Sequence, residues 1–184
     1  MMVVQKKTLT ADEFAQIEDL PENAERILEL IEGEIVDKVP SFEPSRIAAR
    51  IIMLFGTYLL PNESGYITGA DGGYRISDND VLNPDVGYIS KKRLPERPRR
   101  EGQIPPDLAV EVKSPTDTKR GMRRKAEKHL AAGTQIVWLV FPDEQQIEVY
   151  VLDQDVVTMG IDGTLDGGDV LPGFTLKVRD IFAE

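Results

Sequence analysis

The sequence predicts one α/β domain built on a central mixed β-sheet flanked by helices, and three observations carry that prediction. The run Ile136–Phe141 (IVWLVF) is apolar on both faces, as a strand covered on both sides must be. Two stretches with helical apolar spacing, one starting at Pro44 and one running from about Asp117 to Ala132, supply covering layers. Short extended segments punctuated by Gly, Asp and Asn alternate with them, a pattern that suits neither an all-helical nor an all-β arrangement.

In chain order, Thr10 reads as an N-cap, with Glu13 in the capping-box position. Phe14 and Ile17 give the short helix an apolar face, and Pro21 ends it. The run RILELIEGEIVDKV places apolar residues on either side of Glu32-Gly33-Glu34 and predicts a β-hairpin with glycine in the turn. From Pro44, Ile47, Ile51, Leu54, Phe55 and Tyr58 recur at helical spacing. Extended pieces around Tyr66–Thr68, Gly73–Ile76 and Val86–Ile89 are expected as adjacent strands. The segment KKRLPERPRREGQIPP is too charged and proline-rich to bury a face and is expected as an exposed loop. The strand DLAVEVK follows, then the helix that stops at Gly133, the buried strand and a neighbouring strand IEVYVL. The tail alternates in FTLKV, predicting a last strand and a short docked turn, while the Asp162–Asp169 stretch reads as turns. These boundaries divide the single domain, residues 1–184, into an N-terminal helix and hairpin (1–43), a core (44–155) and a C-terminal extension (156–184).

Composition narrows the chemistry. There is no cysteine among the 184 residues, which excludes disulfides, thiolate metal sites and cysteine nucleophiles and fits a reducing, cytoplasmic setting. The start MMVVQKKTLTADEF is too briefly apolar for a secretory h-region, and no run approaches a membrane span. A single histidine, His129, leaves serine triads and histidine-rich metal sites almost nothing to work with, and it is expected as a half-buried helix residue. The net charge of -10 opposes a nucleic-acid partner on average. Its distribution does not: residues 91–128 hold thirteen basic and six acidic side chains, so that stretch is +7 and the remainder -17.

Alternation along DLAVEVK sends Leu108, Val110 and Val112 to one face and Asp107, Ala109, Glu111 and Lys113 to the other. Charges on an interior-leaning face need partners, because burying them alone is costly. Asp85, directly after Pro84 at the mouth of the preceding strand, is the nearest candidate. Two carboxylates on neighbouring strands make an oxygen-rich site for a hard divalent ion, Mg²⁺ or Mn²⁺, that keeps water and substrate phosphate among its ligands. Such an ion lowers the pKa of a bound water in phosphodiester hydrolysis. Lys113, one strand pitch away, would orient that water and stabilise the pentavalent state.

Pro84-Asp85 followed after 25 residues by Glu111-Val112-Lys113 resembles the motif of the PD-(D/E)XK nuclease superfamily. Beyond the motif, ELIEGEIV (29–36), NPDVGYIS (83–90), PPDLAVEVKSP (105–115), the Lys125 helix ending at Gly133, the strand tryptophan Trp138 and LPGFTLKVRDIF (171–182) occur in order. Together they resemble the family of "putative restriction endonucleases" abundant in cyanobacteria over nearly the whole chain. The resemblance implies a restriction-endonuclease-like α/β (α+β) core and a metal-dependent endonuclease acting on nucleic acid, expected to be DNA. It also implies Asp85, Glu111 and the Val112 backbone carbonyl as metal ligands, Lys113 as the catalytic lysine and Lys125 as a secondary site residue. Glu29 and Glu43 are the candidates for a third carboxylate.

Many relatives have an apolar residue where Lys113 stands, a histidine often found near the position of Pro44 or Ser45 is missing, and His129 replaces an aromatic. On the basic helix, Met122, Ala126 and Leu130 form the expected buried stripe, leaving Lys119, Arg120, Arg123, Arg124 and Lys128 to meet phosphate. A homodimer would suit double-strand cutting. The alternative reading is a catalytically silent nucleic-acid-binding or regulatory module that retains the fold.

Overall fold

The computed structural model describes residues 8–183, so the apolar start at residues 1–7, read above for a leader, lies outside the described residues. Helix α1 (Ala11–Glu18) opens on the expected capping box: Thr10 Oγ1 accepts from Glu13 N–H at 3.2 Å and Glu13 Oε2 accepts from Thr10 N–H at 3.0 Å. After a single 3-10 turn (Pro21–Asn23), strands β1 (Leu28–Ile31) and β2 (Glu34–Asp37) pair antiparallel through the two-residue turn Glu32-Gly33. Both turn residues have positive φ, +53° and +74°, the conformation that a tight hairpin matched to strand twist requires.

Helix α2 (Phe42–Asn62) starts two residues before Pro44, which sits harmlessly in the first turn. Strands β3 (Gly65–Thr68), β4 (Tyr74–Ser77), β5 (Asp80–Leu82), β6 (Val86–Ser90) and β7 (Leu108–Val112) follow. Helix α3 (Lys119–Ala132) then leads into β8 (Ile136–Phe141), β9 (Gln146–Val151) and β10 (Val157–Met159). A terminal ribbon of β11 (Thr164–Asp166) and β12 (Thr175–Lys177) precedes α4 (Val178–Phe182).

The strands form a six-stranded mixed sheet, β10-β9-β8-β7-β6-β3, a four-stranded sheet, β2-β1-β5-β4, and the ribbon. β7 and β8 are parallel, joined by α3 as a parallel pair requires, and the other pairs are antiparallel. Two expectations change here. The three extended pieces are not all neighbours: β3 pairs with β6, while β4 turns through Asp78-Asn79 into β5, unread in the sequence, and joins the hairpin sheet. Thr164–Asp166, read as turns, is a strand because β12 supplies it with a ladder partner.

Alternation on β7 divides the core as expected. Leu108, Val110 and Val112 pack with Ile47, Ile51 and Phe55 of α2, whereas Ala109 packs with Met122 and Ala126 of α3. All six residues of β8 are buried, between those two layers. The tail is more than an extension, since Leu165, Leu171, Phe174, Leu176, Val178 and Ile181 all enter the α2-side core. The charged 91–106 loop is exposed over most of its length, yet Gly102 is tied to the start of β4 by Gly102 N–H to Gly73 C=O and Arg75 N–H to Gly102 C=O, 2.8 Å each. Among the described residues no helix is long and apolar enough to cross a membrane.

Trp138, fully buried, meets Phe55 edge to face with ring centroids 5.6 Å apart. Trp138→Ala is expected to cost about 3–5 kcal/mol through lost transfer energy and the cavity left behind, read by circular dichroism in a urea titration.

Candidate active site

The C-terminal end of β7 meets the start of β6, and that junction places Asp85 and Glu111. Val86 pairs with Val110, so Asp85 continues the register opposite Glu111, and its Oδ2 accepts from the N–H of the next residue, Val112, at 2.7 Å. The other carboxylate oxygen, Oδ1, lies 2.8 Å from Lys38 Nζ, delivered by the residue after β2. Glu111 lies one residue before Val112 on β7. Its carboxylate meets Lys125 Nζ at 3.1 Å and His129 Nε2 at 3.4 Å, both from α3.

A third carboxylate joins from the other sheet. Glu29, on β1, accepts from Lys125 Nζ at 2.7 Å and from the backbone N–H of Asn83 at 2.8 Å. Lys125 therefore bridges Glu29 and Glu111, while Lys38 holds Asp85 and also donates to Asn83 C=O at 2.6 Å. Glu29, Asp85 and Glu111 are all buried. For Asp85, Glu111 and Lys125 burial is the strongest single influence, but its outcome differs. It raises the Asp85 carboxyl above its ordinary range, with Lys38 opposing and Glu111 reinforcing. For Glu111, burial is outweighed by the Lys125 ammonium, the His129 hydrogen bond and Lys38, so its carboxyl is held below the ordinary range. Lys125 is the converse: burial favours its neutral form, yet Glu111 and Glu29 raise its pKa.

These groups line a cleft of about 740 Å³. The hairpin, the start of α2 and the start of α3 wall it, and Arg124 and Lys128 stand at its margin.

The other residues named from sequence are placed as follows. Lys113 lies just past β7, and its ammonium rests on the Ser114 carbonyl at 3.3 Å, with no ion pair to Asp85, Glu29 or Glu111. Glu43 is exposed, bound by Arg46 through both oxygens, at 2.9 and 2.7 Å, and lies outside the cleft. Of the two candidates for a third carboxylate, Glu29 joins the group and Glu43 does not. Most of the basic helix surface is already paired with acids: Lys119 with Glu144, Arg123 with Glu148, Arg124 with Glu32, and Lys128 with Asp80 and Glu32. Arg120 is exposed and has no ion pair among the described residues. Met122 and Ala126 form the buried stripe as expected, but His129 takes the place given to Leu130, which is only partly buried. His129 is fully buried rather than half-buried.

Lys38 and Asn83 were missed because nothing local marks them: Lys38 reaches Asp85 from the end of the hairpin, and the pairing of β5 with β1 brings Asn83 to Glu29. His129 did carry a signal, since it stands one helical turn after Lys125 and so shares its face.

The donor set suits a hard cation, being all oxygen: two carboxylates with Val112 beside them. Because the N–H and C=O of a strand residue point to the same edge, the Val112 carbonyl faces the Asp85 side with its N–H. Among the described residues, no group of three or more His, Cys, Asp or Glu side chains is gathered closely enough to hold an ion by itself. Any ion would thus draw on backbone, water or substrate oxygens as well, as Mg²⁺ commonly does.

The profile of the Uma2 family, described as "Putative restriction endonuclease", matches residues 11–179. The chain belongs to this family. It is also similar to a crystal structure described as a "putative nuclease" from Anabaena variabilis ATCC 29413. The two are 26% identical with a TM-score of 0.82, the match covering 95% of this chain and 97% of that one. No curated protein matches it. The Uma2 chain is thus a PD-(D/E)XK-like member of a nuclease family, and the cleft with Asp85 and Glu111 is its candidate active site.

Replacing Lys125 by Met leaves Glu111 and Glu29 buried without their shared cation, and a loss of about 3–5 kcal/mol at neutral pH is expected. Glu111 is depressed in the folded protein, so this stabilisation is present above the unfolded carboxylate's pKa and fades as pH falls through the folded one. The gap between wild type and Lys125→Met in urea titrations should therefore be full at pH 7 and narrow below about pH 4.

Proposed function

We propose that this Uma2 protein is an Mg²⁺- or Mn²⁺-dependent endonuclease that hydrolyses phosphodiester bonds of DNA. The observation carrying this reading is the grouping of Asp85, Glu111 and Lys125 along one cleft, with Val112 between the carboxylates. Asp85, Glu111 and the Val112 carbonyl would hold the ion. When bound, it supplies a water of lowered pKa and neutralises charge on the phosphoryl oxygens.

The chain's own residues do the rest. Three carboxylates face two ammoniums, so a divalent ion would more than offset the one carboxylate in excess of the lysines and favour a phosphodiester. Lys125 sets its ammonium at the carboxylates, where it can meet negative charge developing in the transition state. In this respect it takes the role expected of Lys113, whose ammonium turns to Ser114. His129 backs Glu111 and fixes its orientation, as groups behind a ligating carboxylate do. Arg124 and Lys128 line the cleft and contact backbone phosphate by exchanging their Glu32 and Asp80 partners for it; Lys119, Arg120 and Arg123 extend the basic face beyond the cleft.

The silent binding module is favoured by one observation: Lys38 already lies 2.8 Å from Asp85, supplying positive charge where the ion would sit. One assay separates the readings. With Mg²⁺ or Mn²⁺, wild type should cut DNA, Asp85→Ala and Glu111→Ala should be inactive, and Lys125→Ala should lose about a hundredfold or more in rate. Lys113→Ala should stay near wild type. DNA left intact by wild type in both metals, with salt-sensitive binding retained, would establish the silent module instead.

A further inference from the structure

Two half-buried ammoniums meet the carboxylates of the cleft, and they are held differently. Lys125 lies between Glu29 and Glu111, at 2.7 and 3.1 Å, so it keeps one acid if it gives up the other. Lys38 has one ion pair among the described residues, to Asp85 Oδ1 at 2.8 Å. Its other acceptor is neutral, the Asn83 carbonyl at 2.6 Å. The adjacent acid Asp37 offers no alternative, because Arg26 holds it.

Backbone and side chain divide the freedom of Lys38. Its N–H donates to Ile27 C=O at 2.8 Å, one rung beyond the β1–β2 pairing, which fixes its main chain. The side chain is 21% exposed and lines the cleft, so the ammonium has a way out toward the cleft while the hairpin stays in place.

The two oxygens of Asp85 are likewise unequal. Oδ2 accepts from the backbone N–H of Val112, held at the end of β7, whereas Oδ1 has only a side-chain partner. An ion on Oδ1 at the usual Mg²⁺ distance of about 2.1 Å would stand within about 5 Å of the ammonium there. Two positive charges that close repel strongly where little water screens them, and Asp85 is 9% exposed. Ion and ammonium therefore compete for one oxygen.

We propose that Lys38 is the stand-in cation of the site: its ammonium holds Asp85 until a divalent ion displaces it, and that displacement sets how tightly the ion binds. The proposal rests on the reading of Asp85 and Glu111 as an ion site and adds the residue that opposes the ion. Lys125 keeps Glu29 throughout, so one lysine yields and the other remains.

The test is Mn²⁺ titration calorimetry of the full-length protein at low salt, paired with thermal unfolding in chelator and in saturating Mn²⁺. Lys38→Met should bind Mn²⁺ about tenfold or more tightly than wild type, having no ammonium to displace. Lys38→Arg, which keeps the charge, should stay within about threefold of wild type, as should Lys128→Met, which removes a charge from the same cleft without touching Asp85. In chelator Lys38→Met should melt below wild type. In saturating Mn²⁺ that gap should close, since the ion has then taken Lys38 off Asp85 in wild type too. Equal or weaker Mn²⁺ binding by Lys38→Met, with binding lost in Asp85→Ala, would overturn this proposal and leave the ion site standing. A melting gap that persists in Mn²⁺ would also overturn it, because Lys38 would then stay on Asp85 beside the ion. No Mn²⁺ binding by wild type or any variant would remove the ion site and this proposal with it. Should Lys38→Met fail to fold, Lys38→Gln, which keeps an amide donor for the Asn83 carbonyl, carries the same expectations.

Discussion

The ammonium of Lys125, 2.7 Å from Glu29 and 3.1 Å from Glu111, is the contact on which the arrangement of the cleft depends. Glu29 belongs to the hairpin sheet, Glu111 to the central sheet and Lys125 to the helix covering that sheet. One cation thus ties three elements that share no backbone hydrogen-bond ladder. An ion pair in so buried a place gains stability only when each partner is satisfied, because desolvation removes most of what attraction returns. Here the satisfaction is nearly complete: Asn83 N–H serves Glu29, His129 serves Glu111, and Val112 N–H with Lys38 serves Asp85.

This polar group sits in an apolar frame that fixes it. β7 is fully buried, and its alternate residues pack on α2 and α3, so Glu111 has little freedom to leave the position β7 gives it. Asp85 is held by the strand beside it rather than by its own loop. The site is therefore stiff where carboxylates must be held and open only toward the cleft. In the proposed reading, Lys38 and Lys125 would exchange a carboxylate partner for an incoming phosphate. Lys119, Arg123, Arg124 and Lys128 along α3 are likewise each paired with an acid.

Much of this was legible in the sequence, and the limits have physical reasons. The buried run IVWLVF, the capping box at Thr10 and the alternation along β7 are local patterns, and each describes its own element correctly. Asp85 and Glu111 come together because neighbouring strands in register are also a short-range matter. The lysine is different. Alternation puts Lys113 on the face of Glu111, but it stands past the strand's end, where its side chain can turn to Ser114. Lys125 reaches the carboxylates from a helix two elements away from Glu29's sheet, a geometry set by layer packing. Glu29 and Glu43 were equivalent candidates in sequence, and only the return of β5 to β1 decides between them, because it brings Asn83 to Glu29. His129 differs from these, since its spacing from Lys125 already places it on the helix face that meets Glu111.

The central claim is that Asp85 and Glu111 together take a divalent cation. Diffraction from crystals grown with Mn²⁺ and an uncleavable DNA strand, read at the manganese edge, tests it most directly. The account predicts an anomalous peak between Asp85 and Glu111, beside the Val112 carbonyl and near Lys125. Manganese found only elsewhere, or DNA seated in the cleft with no peak at those carboxylates, would contradict it.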